Sequence, residues 1–222
     1  MLKTALVTGA SRGIGAAIAK QLTEEGYQVT GISRTPSPEL QQLGVSFLSA
    51  DLADTAAIPA LAEQILAQMG QIDVLVHNAA CSVQNLFQCV PAEQVRRLYA
   101  VNLTAVVELT RALLPSMLSR HSGSIVAVSS MWGETGASCE VDYSVTKGAV
   151  LAFVRALAKE VGPSGIRVNA VSPGTILTDM TAPLGKETLD ALAEETPLER
   201  LGTPEDIAQA VCFLASPRAA YI

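Results

Sequence analysis

The run KTALVT at residues 3–8 ends in TGASRGIG, and the residues that follow, to about Glu25, place Ile14, Ala17, Ile18 and Leu22 at helical spacing. A short apolar strand that feeds a glycine-rich turn and then a helix admits few folds, because the helix must pack back on the strand it has just left. Gly26 stops the helix. The first N–H groups and the positive dipole end of such a helix attract anions. Gly9, Gly13 and Gly15, with Ser11, Arg12 and Ile14 in the same turn, are therefore candidates to hold a pyrophosphate. Without a ligand, the same glycines would still serve a tight strand-to-helix turn.

The alternation continues along the chain. Strand patterns are expected at 28–33, 45–50, 72–80, 123–130 and 166–174. Helical patterns are expected at about 54–69, 91–119, 143–161, 189–195 and 204–214. Alternating strands and helices predict a parallel, doubly wound α/β sheet of the Rossmann type, with helices on both faces. Apolar residues make up 49% of the 222 and charged residues 16%, which suits strands buried on both faces. With no linker-like change in composition, one domain over residues 1–222 is expected.

Composition also excludes several roles. A net charge of -6 argues against nucleic acid as the main partner. Cys81, Cys89, Cys139 and Cys212 form no paired spacing, and the histidines are only His77 and His121, so neither a metal site nor a disulfide framework is expected. The N-terminus runs straight into a strand pattern, and no apolar run approaches membrane-spanning length by this reading. A cytoplasmic protein with reduced thiols is the expectation.

The chemistry gathers at strand C-termini. Ser130 stands at the end of the fifth strand pattern, and Tyr143 and Lys147 lie four positions apart on the helix after it. An ammonium one turn from a phenol should lower the phenol's pKa and let it pass a proton, while Ser130 bonds the oxygen that receives it. The second strand ends Ser33-Arg34-Thr35, where an acid would select NAD; Arg34, with Arg12, predicts NADP(H) instead. Asp51, followed by Leu52, either accepts from an adenine amino group or begins the next turn. Asn78, Ala79 and Ala80 are small enough for an adenosine to lie against them. His77 reads as a packed residue. Asn102 bonds a neighbouring helix or holds water near the site.

These motifs together resemble the short-chain dehydrogenase/reductase family over essentially the whole chain: TGASRGIG at 8–15, Asp51-Leu52, Asn78-Ala79-Ala80, Asn102, Ser130, Tyr143-x-x-x-Lys147 and Pro173-Gly174. The resemblance implies hydride transfer from NADPH to a ketone, with Tyr143 as the acid. Lys147 would lower its pKa and hold the nicotinamide ribose, Ser130 would place the carbonyl, and Asn102 would support a water chain. Pro173, Gly174, Ile176 and Thr178 would border the nicotinamide, Thr178 at its carboxamide. Relatives usually continue past the YI at 221–222 into a last strand that closes one sheet edge and helps form a tetramer, so either the sequence stops short of that strand or the edge is unpaired and the assembly differs; a homotetramer or homodimer is the expectation.

For the substrate, the chain resembles the 3-oxoacyl-[acyl-carrier-protein] reductases. The arginines with which many of those dock the carrier fall at His121 and Ser164 here, with Arg120 beside the first. The loop VSSMWGETGASCEV also resembles a bacterial subgroup that reduces a 5-aminopentanone modification on a lysine of elongation factor P. Glu134, Glu140 and Asp142 would then favour a cationic substrate, and Met131 and Trp132 would line the entrance. The same carboxylates would also suit a solvated loop. A third reading, an NADP-binding sensor without turnover, would not need Ser130, Tyr143 and Lys147 together.

Overall fold

Strands that are apolar at nearly every position need cover on both faces. The computed structural model, described for residues 2–222, supplies it. In chain order the main elements are β1 (Thr4–Thr8), α1 (Gly13–Glu24), β2 (Gln28–Ser33), α2 (Pro38–Gln42), β3 (Ser46–Ser49), α3 (Ile58–Met69) and β4 (Val74–His77). They continue as α4 (Ala92–Tyr99), α5 (Ala105–Leu118), β5 (Gly123–Val128), α6 (Trp132–Thr135), α7 (Val141–Val161), β6 (Ile166–Val171), α8 (Lys186–Glu195) and α9 (Pro204–Ala215). The six strands form one sheet in the order β3-β2-β1-β4-β5-β6, and every pairing is parallel. The order reverses between β1 and β4, which opens a crevice at the strands' C-terminal ends.

Side chains alternate across each strand and so divide the core in two. Leu6, Leu75, Ile125 and Ala127 point to the side packed by Ile58, Leu61 and Ile65 of α3, Leu109 and Leu113 of α5, and Val150 and Val154 of α7. Ala5, Val7, Val74, Val76, Val126 and Val128 point to the side packed by Ile18 and Leu22 of α1 and by Val211 and Cys212 of α9. The predicted doubly wound sheet is thus observed, with β3 and β6 as its edges.

Two features depart from the pattern reading. The five-residue α2 and the four-residue α6 fall where no helix is expected, since elements this short carry no readable period. The long helical stretch is also not uniform. A π turn at Ala100–Thr104 separates α4 from α5 and holds Asn102. Such turns concentrate at functional sites. The run Ala92–Leu118, 27 residues, is long and apolar enough by composition to cross a membrane, which amends the expectation that no run is. Its buried residues, among them Leu98, Val106, Leu109, Leu113 and Met117, serve the core of this fold.

Candidate active site

β5 ends at Val128, and the next two serines take opposite tasks. Ser129 donates from Oγ to the Lys147 carbonyl at 2.9 Å and so ties the strand end to α7. Ser130 Oγ accepts from the Trp132 amide at 3.2 Å. The close approach of α6 to α7 depends on Gly133, where a Cβ would stand 2.7 Å from the Lys147 carbonyl carbon and 3.0 Å from the Lys147 Cβ. Tyr143 lies in the first turn of α7, with Lys147 one turn on. Lys147 Nζ donates to the Val128 carbonyl at 2.8 Å and lies 5.6 Å from the centre of the Tyr143 ring. Ser130, Tyr143 and Lys147 are therefore brought together as expected.

Their electrostatics differ from the expectation. Burial pushes the Tyr143 phenol up to about 12; the Ser130 hydroxyl pulls the other way, while Glu140 and Cys81 add to the rise. Burial also pulls Lys147 down to about 8. The net direction is therefore up, against the fall expected from Lys147 alone. Burial of the phenol outweighs the lysine, whose ammonium is itself desolvated and bonded to the Val128 carbonyl.

Asn102 is buried, and its amide is fully engaged. Oδ1 accepts from the Cys81 amide at 2.9 Å, and Nδ2 donates to the Cys81 carbonyl at 2.8 Å and to Thr146 Oγ1 at 3.3 Å. Of its two expected roles the side chain takes the first, bonding neighbouring segments. It fixes the loop after β4 against α7. His77 is a packed residue, as expected. His77 Nε2 is hydrogen-bonded to Thr110 Oγ1 at 2.7 Å, Thr110 Oγ1 also lies 2.7 Å from the Val106 carbonyl, and burial pulls the imidazole down to about 4.

On the other side of the crevice the glycine turn is locked to the end of β4. Asn78 Nδ2 donates to the carbonyls of Thr8 and Gly9 at 3.1 and 3.2 Å, and the amides of Asn78 and Ala79 donate to Thr8 Oγ1 at 3.0 and 3.1 Å. A Cβ at Gly15 would stand 2.1 Å from the Gly9 carbonyl oxygen, and one at Gly9 would stand 2.8 Å from the Ala79 Cα. These two glycines are needed by the protein's own packing. Gly13, at φ +55, has only the Thr178 side chain nearby, at 3.5 Å, and so leaves room beside the helix start. The N-terminus of α1 has no side-chain cap and no acid in its first turn, with Ser11 half-buried just before it. That is a donor set suited to an anion. Ile14, by contrast, packs against the α1 core and Ala80 is half-buried beside Cys81.

The charges here are arranged on the surface. Arg12 Nη1 lies 3.3 Å from Asp179, both well exposed. Ser33 Oγ donates to the Thr35 carbonyl at 2.8 Å and Ser49 Oγ to the Arg34 carbonyl at 3.0 Å, which shapes the turn that presents Arg34 to solvent. Of the two roles open to Asp51, the structure displays the turn. Oδ1 accepts from the Ala53 amide at 3.0 Å, and Arg97 Nη2 donates to both oxygens at 3.2 and 3.1 Å. The Ala53 amide above all, then Arg97, lowers its pKa. The Leu52 side chain belongs to the core, and Ile176 is buried beneath a bridge to Gly202. Pro173 accepts from the Met131 amide at 2.9 Å, which joins the loop after β6 to α6, with Gly174 next to it.

Several contributors lay outside the residues singled out from sequence. Thr8 is a polar residue at a buried strand end, a signal that local reading can find. Arg97 reaches Asp51 across 46 positions, and Ser82 reaches Glu140 across 58; neither pairing leaves a local trace.

A family model described as "Enoyl-(Acyl carrier protein) reductase" matches residues 9–222. The chain is 43% identical to "Uncharacterized oxidoreductase YmfI" of Bacillus subtilis (strain 168), covering 100% of this chain and 95% of that protein. It is 39% identical to "3-oxoacyl-[acyl-carrier-protein] reductase FabG" of Vibrio cholerae, covering 99% and 92%. A solved structure described as "short chain dehydrogenase/reductase family protein" superposes with a TM-score of 0.88 at 34% identity, covering 99% of this chain and 92% of that one.

Proposed function

Because the chain belongs to the short-chain dehydrogenase/reductase family of oxidoreductases, we propose that it is an NADPH-dependent reductase that converts a ketone to a secondary alcohol. The observation that carries this reading is the meeting of Ser130, Tyr143 and Lys147 beside a glycine turn with an open helix N-terminus. The cofactor supplies the hydride. The residues present fit it: the α1 N-terminus and Gly13 would take the pyrophosphate, and Ser33, Arg34 and Arg12 would border the 2′-phosphate. No carboxylate stands at the end of β2, and Asp51 is held by Arg97, so Arg34 is in no ion pair among the described residues and would be available to a phosphate.

In the proposed chemistry, the Tyr143 hydroxyl gives its proton to the substrate oxygen, and Ser130 bonds that oxygen and orients it. A phenol whose burial keeps it protonated to about 12 is an acid at any physiological pH. Lys147, held to Val128, sets the position of the ribose and supplies positive charge as the phenol gives up its proton. Asn102 fixes the Cys81 loop that forms the near wall. Residence in the cytoplasm and assembly as a homodimer or homotetramer belong to this reading.

Two ketone classes fit. A 3-oxoacyl thioester is the substrate class that the names of several relatives carry. Arg120, the cation nearest the expected carrier-docking position, is built into the fold: it donates to the carbonyls of Ser116 and Ile72 at 2.7 and 2.6 Å and lies 3.7 Å from Asp73. That weakens carrier docking without excluding it, and a second class, a ketone bearing an amine such as the aminopentanone on elongation factor P, stands as the alternative. Glu134, exposed and in no ion pair among the described residues, would face its ammonium. The test is NADPH oxidation by the full chain with acetoacetyl-coenzyme A and with the modified protein in parallel. Turnover of either supports the reductase reading, and the preferred one assigns the class. Turnover of neither, together with wild-type cofactor binding by Tyr143→Phe, would favour a sensor.

A further inference from the structure

The mouth of the site is formed by two loops, residues 81–90 after β4 and residues 136–140 before α7. Both mix polar and apolar residues, all half-buried to exposed, and neither has a core of its own. They are nonetheless joined. Ser82 Oγ donates to Glu140 Oε1 at 2.5 Å, and the Asn85 amide donates to the Cys139 carbonyl at 2.9 Å. Cys139 sits at φ +64, a left-handed conformation that a residue with a side chain adopts only when its surroundings hold it there. The same loop is closed onto α7 by the Ala137 amide, which donates to Ser144 Oγ at 3.1 Å.

We propose that Ser82 and Glu140 form a latch that fixes the 81–90 loop to the entrance of α7 and so sets the opening through which substrate reaches Tyr143. The proposal rests on the reading of Tyr143 as the reacting acid. Glu140 suits the task for three reasons. A carboxylate accepts a stronger hydrogen bond than a neutral group. It stands at the start of α7, where the helix dipole favours negative charge. Its own carbonyl accepts from the Ser144 amide at 2.9 Å, so the residue is fixed to the helix that carries Tyr143. The latch also carries apolar cargo: Leu86 and Phe87, at the tip of the loop, are exposed beside the mouth. Glu140 is a positioning residue here; Ser130, Glu140 and Cys81 are the groups whose bond or charge acts on the Tyr143 phenol, and Lys147 Nζ lies 5.6 Å from its ring centre.

Hydrogen exchange on the full chain tests the latch without any substrate. Glu140→Ala should speed exchange of the amides in 82–90 roughly five-fold, the worth of about one hydrogen bond, and Ser82→Ala should do the same. The double variant should add nothing beyond either single one. Glu140→Gln keeps an accepting oxygen and should stay within about two-fold of the wild type. In turnover of acetoacetyl-coenzyme A with NADPH, Ser82→Ala should raise KM more than it lowers kcat. Wild-type exchange in 82–90 for Glu140→Ala, or independent effects that sum in the double variant, would overturn the latch. Full activity in Tyr143→Phe would instead overturn the reading of the site while leaving the exchange result to stand.

Discussion

The turn between β1 and α1 and the junction of β5 with α7 lie at the same end of the sheet, and they keep their shapes by different means. The first relies on missing side chains. Gly15 and Gly9 let backbone pass backbone, and Asn78 and Thr8 lock the result with bonds to main-chain groups. Its charges, Arg12, Arg34, Asp51 and Arg97, all stand on the surface. The second relies on buried polar side chains: Ser129 on the Lys147 carbonyl, Lys147 on the Val128 carbonyl, and Asn102 on Cys81. A site built from close backbone packing is intolerant of volume and indifferent to pH. A site built from buried titratable groups is the reverse, since burial changes what each group does with its proton.

The comparison can be broken first at Tyr143. Tyr143→Phe should lower kcat by roughly two to four orders of magnitude while NADPH binding, followed by its fluorescence, stays near wild type. Substantial residual turnover would remove the phenol from the chemistry. On the glycine side, Gly15→Ala forces its new methyl against a backbone oxygen, and we expect a stability loss of about 1–3 kcal/mol that is the same at pH 6 and pH 9. An unchanged melting temperature would show that the turn has slack.

Lys147 gives the complementary test. Its amine is held near 8 in the folded protein against an ordinary 10.5, so between those values the unfolded chain binds the extra proton and stability rises with pH. The rise is on the order of 3 kcal/mol and should vanish in Lys147→Met, read from denaturant titrations across that range. Opposing trends come from Cys212, lifted from 9.0 to about 12, and, above pH 10, from Tyr143, lifted from 10.0 to about 12, so the Lys147 contribution is read as the difference between the wild type and Lys147→Met at each pH. A variant as pH-dependent as the wild type would mean that the lysine is solvated. The smallest effect is on the surface: Arg34→Asp should shift the NADPH-to-NADH preference about tenfold toward NADH, the scale of one exposed charge-assisted contact. Unchanged preference would place the 2′-phosphate elsewhere.

What could be read before folding follows the same division. Every strand fell within a few residues of its pattern, and β2 matched at both ends, because a continuous apolar run has few other uses. Ser130, Tyr143 and Lys147 were legible because strand ends and helical spacing bring them together. The partners that settle their behaviour were not. Nothing near Asp51 announces Arg97, and nothing near Asn102 announces that Cys81 will occupy its amide. The direction of the Tyr143 shift is not legible for a similar reason: spacing places a lysine one turn away, but burial is a property of the assembled fold and outweighs it.

The π turn at Ala100–Thr104 has a mechanical consequence. Each residue advances an α-helix by about 100°, so one residue of widened winding works as a phase slip between two gears on one shaft. Upstream, Leu98 meshes with the fold; downstream, Leu109, Leu113 and Met117 mesh with the core; the slip falls on the tooth that carries Asn102. Removing one residue from that turn would let the winding run true. Both gears would stay in mesh, because the widened turn takes up one extra residue without advancing the shaft; what would go is the bulge that turns the Asn102 amide toward Cys81.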